Sequence, residues 1–276
     1  MIGIIGGSGL YRLPGLNVIR EMEPETPFGK IAGPLKVFEA GCGKQGVFLC
    51  RHGEGHRWPA HRVPHRANLW AMYELGVDSL VSFSSCGAVD ATLTPGDYLV
   101  LDNFINAGGI ITFYDGPSEV RVPDRGDLVS KYINEGRAVH LDFTYPCCHE
   151  MRQVIISVLG EMGLPTRGRG TYLQTHGPRL ESAAEIVAAR RQGAHAVGMT
   201  LAHEATLARE LGMCFAGVAV VTNMAAGMAG TLSAREIDEM MHEKAREIEL
   251  VVEEVTVRMP ATPSCECRNQ LREALM

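Results

Sequence analysis

The chain opens with Ile2-Gly3-Ile4-Ile5-Gly6-Gly7-Ser8-Gly9-Leu10, an apolar run that leads into a cluster of glycines. Such a segment is typical of a buried strand that ends in a tight turn, where backbone N–H groups and the Ser8 hydroxyl can bind an anion. The glycine spacing differs from the G-x-G-x-x-G fingerprint of dinucleotide-binding proteins. We therefore expect a strand and a candidate anion-binding turn, and we keep a non-catalytic nucleotide-binding protein as a remote alternative.

Further apolar runs are continuous rather than alternating, which is typical of strands in a sheet covered on both faces. They occupy residues 46–50, 79–83, 98–101 and 215–221. Helical patterns lie between and after them, over 64–75, 182–192 and 233–258, and the first two end at Gly76 and Gly193. Ser233 and Glu236 predict a capping box at the start of the longest helix. The sequence predicts an α/β three-layer sandwich.

The 276 residues contain no segment with the composition of a linker, so we expect one domain over residues 1–260. Residues 106–127 are rich in Gly, Asp, Arg and Pro and predict a long irregular excursion, which is usually functional or located at an interface. The polar tail, residues 261–276, is expected to pack on a neighbouring subunit.

The net charge of −6 is mildly negative and the basic residues are scattered, which argues against nucleic acid as a partner. The sequence has neither a signal-peptide pattern nor an apolar run long enough to span a membrane. We therefore expect a soluble, cytoplasmic protein.

The cysteines are spread along the chain without C-x-x-C spacing or accompanying histidines, so the sequence predicts no metal site. Free buried thiols are expected, and disulfides between Cys148 and Cys214 or within the tail remain open. The cysteines are residues 42, 50, 86, 147, 148, 214, 265 and 267.

Polar residues follow two of the predicted strands. Arg51-His52-Gly53 comes after the run at 46–50, and Ser84-Ser85-Cys86-Gly87 comes after the run at 79–83. The carboxyl ends of strands in an α/β sheet converge on the ligand crevice, and Arg, His and Ser are common phosphate partners. Together with the glycine turn at Ser8, these strand ends predict a phosphate pocket.

The chain resembles the family of purine nucleoside and 5′-methylthioadenosine phosphorylases. The resemblance rests on short motifs that occur in the family's order along most of the sequence. They are the glycine turn at 6–10, Thr26-Pro27-Phe28-Gly29, Arg51-His52-Gly53, His65 to Ala71, Pro95-Gly96-Asp97, Phe113-Tyr114-Asp115-Gly116, Gly177-Pro178-Arg179, Gly198-Met199-Thr200 and Thr222-Asn223.

The resemblance implies a mixed, barrel-like central sheet flanked by helices and an enzyme that uses inorganic phosphate as co-substrate, without a metal or organic cofactor. It also implies a homotrimer or homohexamer with active sites near the subunit interfaces, where His140 would be reached by the adjoining subunit. Met199 would lie against the ribose and Leu180 against the purine. The implied phosphate contacts are Ser8, Arg51, His52, Ser84, Ser85 and Thr200.

Two positions bear on which base is accepted. In the family that this chain resembles, the methylthioadenosine branch has an Asp-x-Asp pair where this sequence has Asn223-Met224-Ala225. Glu181 falls at a position where the 6-oxopurine enzymes have a glutamate. The Asn223 amide can donate to N7 or O6 of a 6-oxopurine, and Glu181 can accept from its N1–H. We therefore expect Asn223 to be the catalytic residue that stabilises the departing base. Methylthioadenosine phosphorylase is the alternative.

The 5′ side of the sugar stays open at the level of sequence. His56 and the apolar residues Leu232 and Ile237 are candidates to line it. An ordinary ribose requires a polar partner for its 5′-hydroxyl, whereas a methylthio group requires an apolar one. Inosine, guanosine and S-methyl-5′-thioinosine all remain possible substrates.

Overall fold

A computed structural model describes residues 1–11, 15–41, 43–260 and 263–275. Cys42 and the tail residues 261, 262 and 276 lie outside the described residues. The predicted strands are all present, and shorter strands are added to them. In chain order the strands are β1 (Ile2–Gly6), β2 (Asn17–Met22), β3 (Glu25–Thr26), β4 (Gly29–Lys30), β5 (Leu35–Glu39), β6 (Gln45–Cys50), β7 (Ser79–Ala88), β8 (Tyr98–Val100), β9 (Asn103–Asn106), β10 (Thr166–Arg167), β11 (Thr171–Gln174), β12 (Ala196–Gly198) and β13 (Cys214–Met224).

The three predicted helices are confirmed, and three further helices appear that the sequence reading did not identify. In the described ranges, no helix is long and apolar enough to cross a membrane. The helices are α1 (His65–Glu74), α2 (Leu128–Glu135), α3 (His149–Glu161), α4 (Ala183–Arg191), α5 (Leu201–Glu210) and α6 (Ala234–Arg258). Short 3₁₀ turns add Glu54–His56, Ala60–Arg62, Glu266–Arg268 and Gln270–Glu273.

Eleven of the strands form one mixed sheet, in which β7 is the branching strand. β7 pairs in parallel with β1 and β13, while its last residues, Gly87 and Ala88, pair antiparallel with β12. β1 also pairs in parallel with β6. The carboxyl ends of β1, β6, β7 and β13 therefore meet at one edge, and the branch at β7 bends the sheet toward a barrel.

Two apolar clusters cover opposite faces of this sheet. One contains buried residues of α1 and α5, such as Trp70 and Leu207. The other contains buried residues of α3 and α6, such as Ile155 and Val252. The prediction of a three-layer α/β sandwich with a barrel-like sheet is confirmed.

Two helix starts differ in detail from the predictions. At α6, the Ser233 side chain accepts from the backbone N–H of Arg235, so the predicted capping box with Glu236 is replaced by a simpler cap. At α4, a full capping box joins Ser182 and Glu185. The box fixes the entry to α4, just after Glu181, and so helps to position the predicted base-binding residues.

The segment between β9 and α2 is irregular, as predicted. Its centre is held by Glu210 at the end of α5, which accepts from the Phe113 backbone N–H at 2.6 Å and from the Thr112 hydroxyl at 2.7 Å. Burial raises the pKa of Glu210 to about 7. A buried acid thus anchors a loop that has no regular structure of its own.

The described part of the tail, residues 263–275, packs on its own chain, and its expected contact with a neighbouring subunit stays a prediction. Leu271 is buried in the core beside α1 and α5, and Leu275 forms an isolated antiparallel bridge with Val139. Arg268 forms an ion pair with Asp78 at 2.8 Å. The sequence of the tail did not predict these contacts, because its partners Asp78 and Val139 lie more than a hundred residues away in the chain.

Candidate active site

A cavity of about 600 Å³ opens where the strand ends meet. This volume suits a nucleoside-sized ligand. Ten of the predicted site residues lie on its wall, whereas Arg51 and His140 do not. The ten are Ser8, His52, His56, Ser84, Ser85, Leu180, Glu181, Met199, Thr200 and Asn223.

The glycine turn after β1 is required by close packing. A Cβ on Gly7 would lie 2.6 Å from Arg51 Nη1 and 3.0 Å from the Phe83 carbonyl oxygen. Gly9 has a φ of 75°, and a Cβ there would meet Met241 Cβ at 2.5 Å. Only glycine lets the turn lie this close to β7 and α6 and so present Ser8 to the cavity.

Hydroxyl groups gather beside the start of α5. Thr200 is the N-cap residue of α5, but its hydroxyl caps no backbone N–H and lies 3.4 Å from Ser84 Oγ instead. A helix N-terminus carries partial positive charge and favours an anion. Ser84 and Ser85 belong to β7, which runs five residues beyond the predicted end at Phe83 because its last residues pair with β12. Neutral hydroxyl donors and a helix N-terminus therefore lie together on one part of the cavity wall.

Arg51 lies behind the cavity wall, and its expected contact with phosphate stays a prediction. Its side chain is fully buried, and its guanidinium makes two bonds to the Glu204 carboxylate, at 2.5 and 2.9 Å. Nη1 also donates to the Phe83 carbonyl at 3.1 Å. Arg51 therefore lies one layer behind Gly7, because a buried carboxylate that the sequence did not reveal as its partner holds it there. Among the described lining residues there is no Lys or Arg.

His52 lies on the wall as a neutral imidazole. Burial, and after it the charge of Arg51, lowers the pKa of His52 to about 3. Its Nδ1 lies 2.7 Å from the Trp58 carbonyl oxygen, which can only accept, so Nδ1 carries the proton. Nε2 is then an acceptor. His56 stacks on this ring at 4.3 Å between centroids.

Asn223 presents an amide whose orientation is fixed. The Thr222 hydroxyl lies 2.8 Å from Asn223 Oδ1, and Asn223 Nδ2 donates to the Met224 carbonyl at 2.9 Å. An amide nitrogen has two hydrogens, so one remains for a ligand in the cavity. The wall thus carries a preoriented donor at this point.

Glu181 presents an acceptor to the same cavity. The Thr175 hydroxyl donates to Glu181 Oε1 at 2.6 Å, which leaves Oε2 available to a ligand. Thr175 follows β11, a strand that the sequence reading did not identify, so its link to Glu181 was missed. Donor and acceptor groups at Asn223 and Glu181 match those expected for a 6-oxopurine.

A third region of the wall combines polar and apolar side chains. The Tyr11 hydroxyl lies 3.1 Å from His56 Nδ1 and 3.5 Å from Asp238 Oδ1. Burial raises the pKa of Tyr11 and lowers that of His56, so both are neutral near pH 7. Leu232 and Ile237 lie on the wall as predicted. Tyr11 and Asp238 were missed, since Asp238 reads in sequence as an ordinary exposed helix acid.

His140 lies away from the cavity. Its backbone N–H donates to the Ala274 carbonyl at 2.8 Å, within the bridge between the tail and residue 139. The expected contact was with the active site of another subunit, so its placement outside this chain's cavity leaves that expectation as a prediction.

The structure combines an α/β fold with a cavity whose wall carries hydroxyl donors on one side and an amide–carboxylate pair on the other. The chain belongs to the Phosphorylase superfamily, whose sequence profile matches residues 1–256. It is 41% identical to the 6-oxopurine nucleoside phosphorylase of Pyrococcus furiosus, over 99% of this chain and 98% of the relative.

Two further similar proteins are named as methylthioadenosine phosphorylases. The S-methyl-5′-thioadenosine phosphorylase of Pyrococcus abyssi is 34% identical over 98% of this chain and 97% of its own length. The crystal structure of methylthioadenosine phosphorylase from Schistosoma mansoni in complex with adenine has a TM-score of 0.88 at 24% identity, covering 100% of this chain and 98% of that one. This last likeness establishes the fold alone.

Proposed function

We propose that the protein cleaves the N-glycosidic bond of 6-oxopurine nucleosides with inorganic phosphate, yielding the free base and a sugar 1-phosphate in purine salvage. The observation that carries the proposal is the pairing of a fixed donor at Asn223 with a fixed acceptor at Glu181 on one wall of the cavity. The 41% identical relative from Pyrococcus furiosus, named for this activity, supports it.

Phosphate binds at the glycine turn and at the start of α5. The hydroxyls of Ser8, Ser84 and Thr200 donate to its oxygens, and the helix terminus offsets part of its charge. His52 Nε2 accepts from the protonated oxygen of hydrogen phosphate, since that ring is neutral with its proton on Nδ1. These contacts hold the nucleophile against the sugar without a metal or organic cofactor.

The purine leaves as its bond to C1′ breaks and negative charge develops over N7 and O6. The free Nδ2 hydrogen of Asn223 donates to this charge and binds the transition state more tightly than the neutral base. Glu181 Oε2 accepts from N1–H and keeps the ring in the orientation that brings N7 to Asn223. Phosphate attacks the sugar from the opposite face, and the base then takes up a proton.

The alternative is a methylthioadenosine phosphorylase that releases adenine. Adenine presents N1 as an acceptor, which would face the Glu181 carboxylate with no hydrogen between them. Such a buried mismatch costs about 1–3 kcal/mol. The donor and acceptor pattern of the wall therefore favours hypoxanthine and guanine over adenine.

The third region of the wall favours a hydroxyl at the 5′ position. Tyr11, His56 and Asp238 form a polar group there, and an apolar methylthio substituent would leave these groups without partners. Leu232 and Ile237 still provide contact for the sugar carbons. We therefore rank inosine and guanosine above S-methyl-5′-thioinosine.

A panel of nucleosides tests the assignment. Inosine, guanosine, adenosine, S-methyl-5′-thioinosine and methylthioadenosine are incubated with phosphate or arsenate, and the free base is followed by absorbance. We expect phosphate-dependent release of hypoxanthine and guanine to be fastest. Faster cleavage of methylthioadenosine than of every 6-oxopurine nucleoside would overturn the base assignment, and ligand binding without any base release would favour the nucleotide-binding alternative.

We also propose that the protein works in the cytoplasm as a homotrimer or homohexamer in which His140 reaches a neighbouring active site. Large apolar side chains on the long connections support an interface there: Ile110 is 98% exposed and Tyr145 is 79% exposed. Light scattering coupled to size-exclusion chromatography tests the assembly. A monomeric, fully active protein would contradict it.

A further inference from the structure

Four cysteine side chains from three distant parts of the chain converge at one point. Cys148 precedes α3, Cys214 opens β13, and Cys265 and Cys267 belong to the tail. All four Sγ atoms lie within 4.8 Å of one another. Cys265 Sγ is 3.2 Å from Cys214 Sγ and 3.7 Å from Cys148 Sγ. The four are free thiols in the structure, and none lines the active-site cavity.

The spacing of the sulfur atoms suits a tetrahedral metal ion. Zinc binds thiolate sulfur at about 2.3 Å, which places the four sulfurs of a tetrahedral site about 3.8 Å apart. The observed separations of 3.2 and 3.7 Å, with all pairs inside 4.8 Å, require only small side-chain movements to reach this geometry. Two ligands are buried and two half-buried, so the site is closed, as in structural zinc sites.

A buried cation that contacts the same tail supports the inference. Arg209 is only 2% exposed, and within the described chain its Nε and Nη1 atoms have no hydrogen-bond partner. Its Nη2 donates to Gln270, three residues beyond Cys267 in the same tail. A buried, incompletely paired guanidinium is costly. Neutral thiols or disulfides would leave that cost in place, whereas a tetrathiolate zinc centre carries two negative charges and offsets it.

We propose that Cys148, Cys214, Cys265 and Cys267 form a structural zinc site that fastens the C-terminal tail to the sheet. Binding displaces the four thiol protons and gives a zinc tetrathiolate, with no change of oxidation state. The sequence hid this site, because C-x-C and two isolated cysteines lack the usual spacing and meet only after the tail folds back. The bound zinc would then stabilise the tail contacts at Arg268, Leu271 and Leu275 against thermal unfolding.

Metal analysis of the whole protein tests the proposal. The protein is produced in zinc-supplemented medium, purified with a phosphine reductant and without chelator, and its metal content is measured by plasma mass spectrometry. We expect one zinc per chain. We expect Cys267→Ser and Cys265→Ser each to lower zinc affinity by ~100-fold or more, since even changes outside the ligand shell cost ~10–100-fold.

Cys147→Ser is the matched control. Cys147 is buried next to Cys148 in the chain but packs in the opposite apolar cluster, so this variant should keep its zinc. If a cluster variant does not fold, the reduced wild-type protein is stripped of metal and titrated with Co²⁺. Thiolate-to-cobalt charge-transfer bands that Zn²⁺ abolishes would support the site, and their absence would overturn it.

Two results for the untreated protein would also overturn the proposal. One is a metal-free chain whose mass lies four hydrogen atoms below the reduced mass, which means two disulfides in place of thiolates. The other is a metal-free chain whose four thiols all react with a thiol reagent after denaturation.

Discussion

Replacing Glu181 with glutamine tests the base-recognition argument with almost no change of shape. The Thr175 hydroxyl, 2.6 Å from Oε1, also donates to a carbonyl oxygen and therefore keeps the amide oxygen of the new Gln on its side. The amide –NH₂ is then turned toward the base. There it faces the N1–H of a 6-oxopurine, so that two donors oppose each other. With adenine it can donate to N1, which is an acceptor.

The magnitude follows from the two hydrogen bonds that change. For inosine an accepting contact becomes a donor–donor contact, which costs about 1–3 kcal/mol, and for adenosine a buried mismatch of about 1–3 kcal/mol is relieved. The preference for inosine over adenosine should therefore weaken by about 2–6 kcal/mol, so that the ratio of their kcat/KM values falls roughly 30- to 30,000-fold. Guanosine should lose more than inosine, because its 2-amino group also faces Glu181.

The assay measures kcat/KM for the three nucleosides at saturating phosphate. Glu185→Gln is the matched control, since Glu185 lies on α4 outside the cavity and glutamine also completes a capping box. A change of less than about threefold in the inosine/adenosine ratio, or an equal change in the control, would refute the assigned role of Glu181.

Three further measurements probe other parts of the structure. Asn223→Ala should lower kcat by ~10²–10³ with little change in KM, because its donor acts on the departing base; a change in KM alone would count against this. Glu210 keeps its proton between about pH 4.5 and 7 in the folded state, so stability should fall by up to about 3 kcal/mol as pH rises through that window; urea unfolding of Glu210→Gln should lack this decline. Sulfate has no proton to give His52 Nε2, so it should inhibit ~5- to 150-fold more weakly than phosphate binds; equal affinities would contradict the tautomer.

Features that depend on residues close together in the chain could be predicted from the sequence, and features that depend on distant residues could not. The glycine turn after β1 and the start of α4 are set by neighbours in the chain, and their patterns predicted them correctly. The ends of β7 and β13 lie beyond the predicted ends, because they depend on pairing between distant strands. Arg51 shows the limit, because its position is set by Glu204, more than 150 residues away and on a helix that the sequence did not reveal. Thr175 and Asp238 were missed for the same reason: each looks ordinary until a distant partner meets it.

The position of Arg51 behind the cavity wall affects how the site would bind phosphate during turnover. A guanidinium in direct contact would bind phosphate equally well before and in the transition state, and such uniform binding lowers KM without raising kcat. Here the charge of Arg51 is paired with Glu204 behind Gly7, and the cavity presents hydroxyls, a helix terminus and a neutral His52. In the mechanism that we propose, these groups orient phosphate without a fixed positive charge in direct contact. The buried ion pair then keeps the glycine turn and β7 together, so that Ser8 and Ser84 face the same anion.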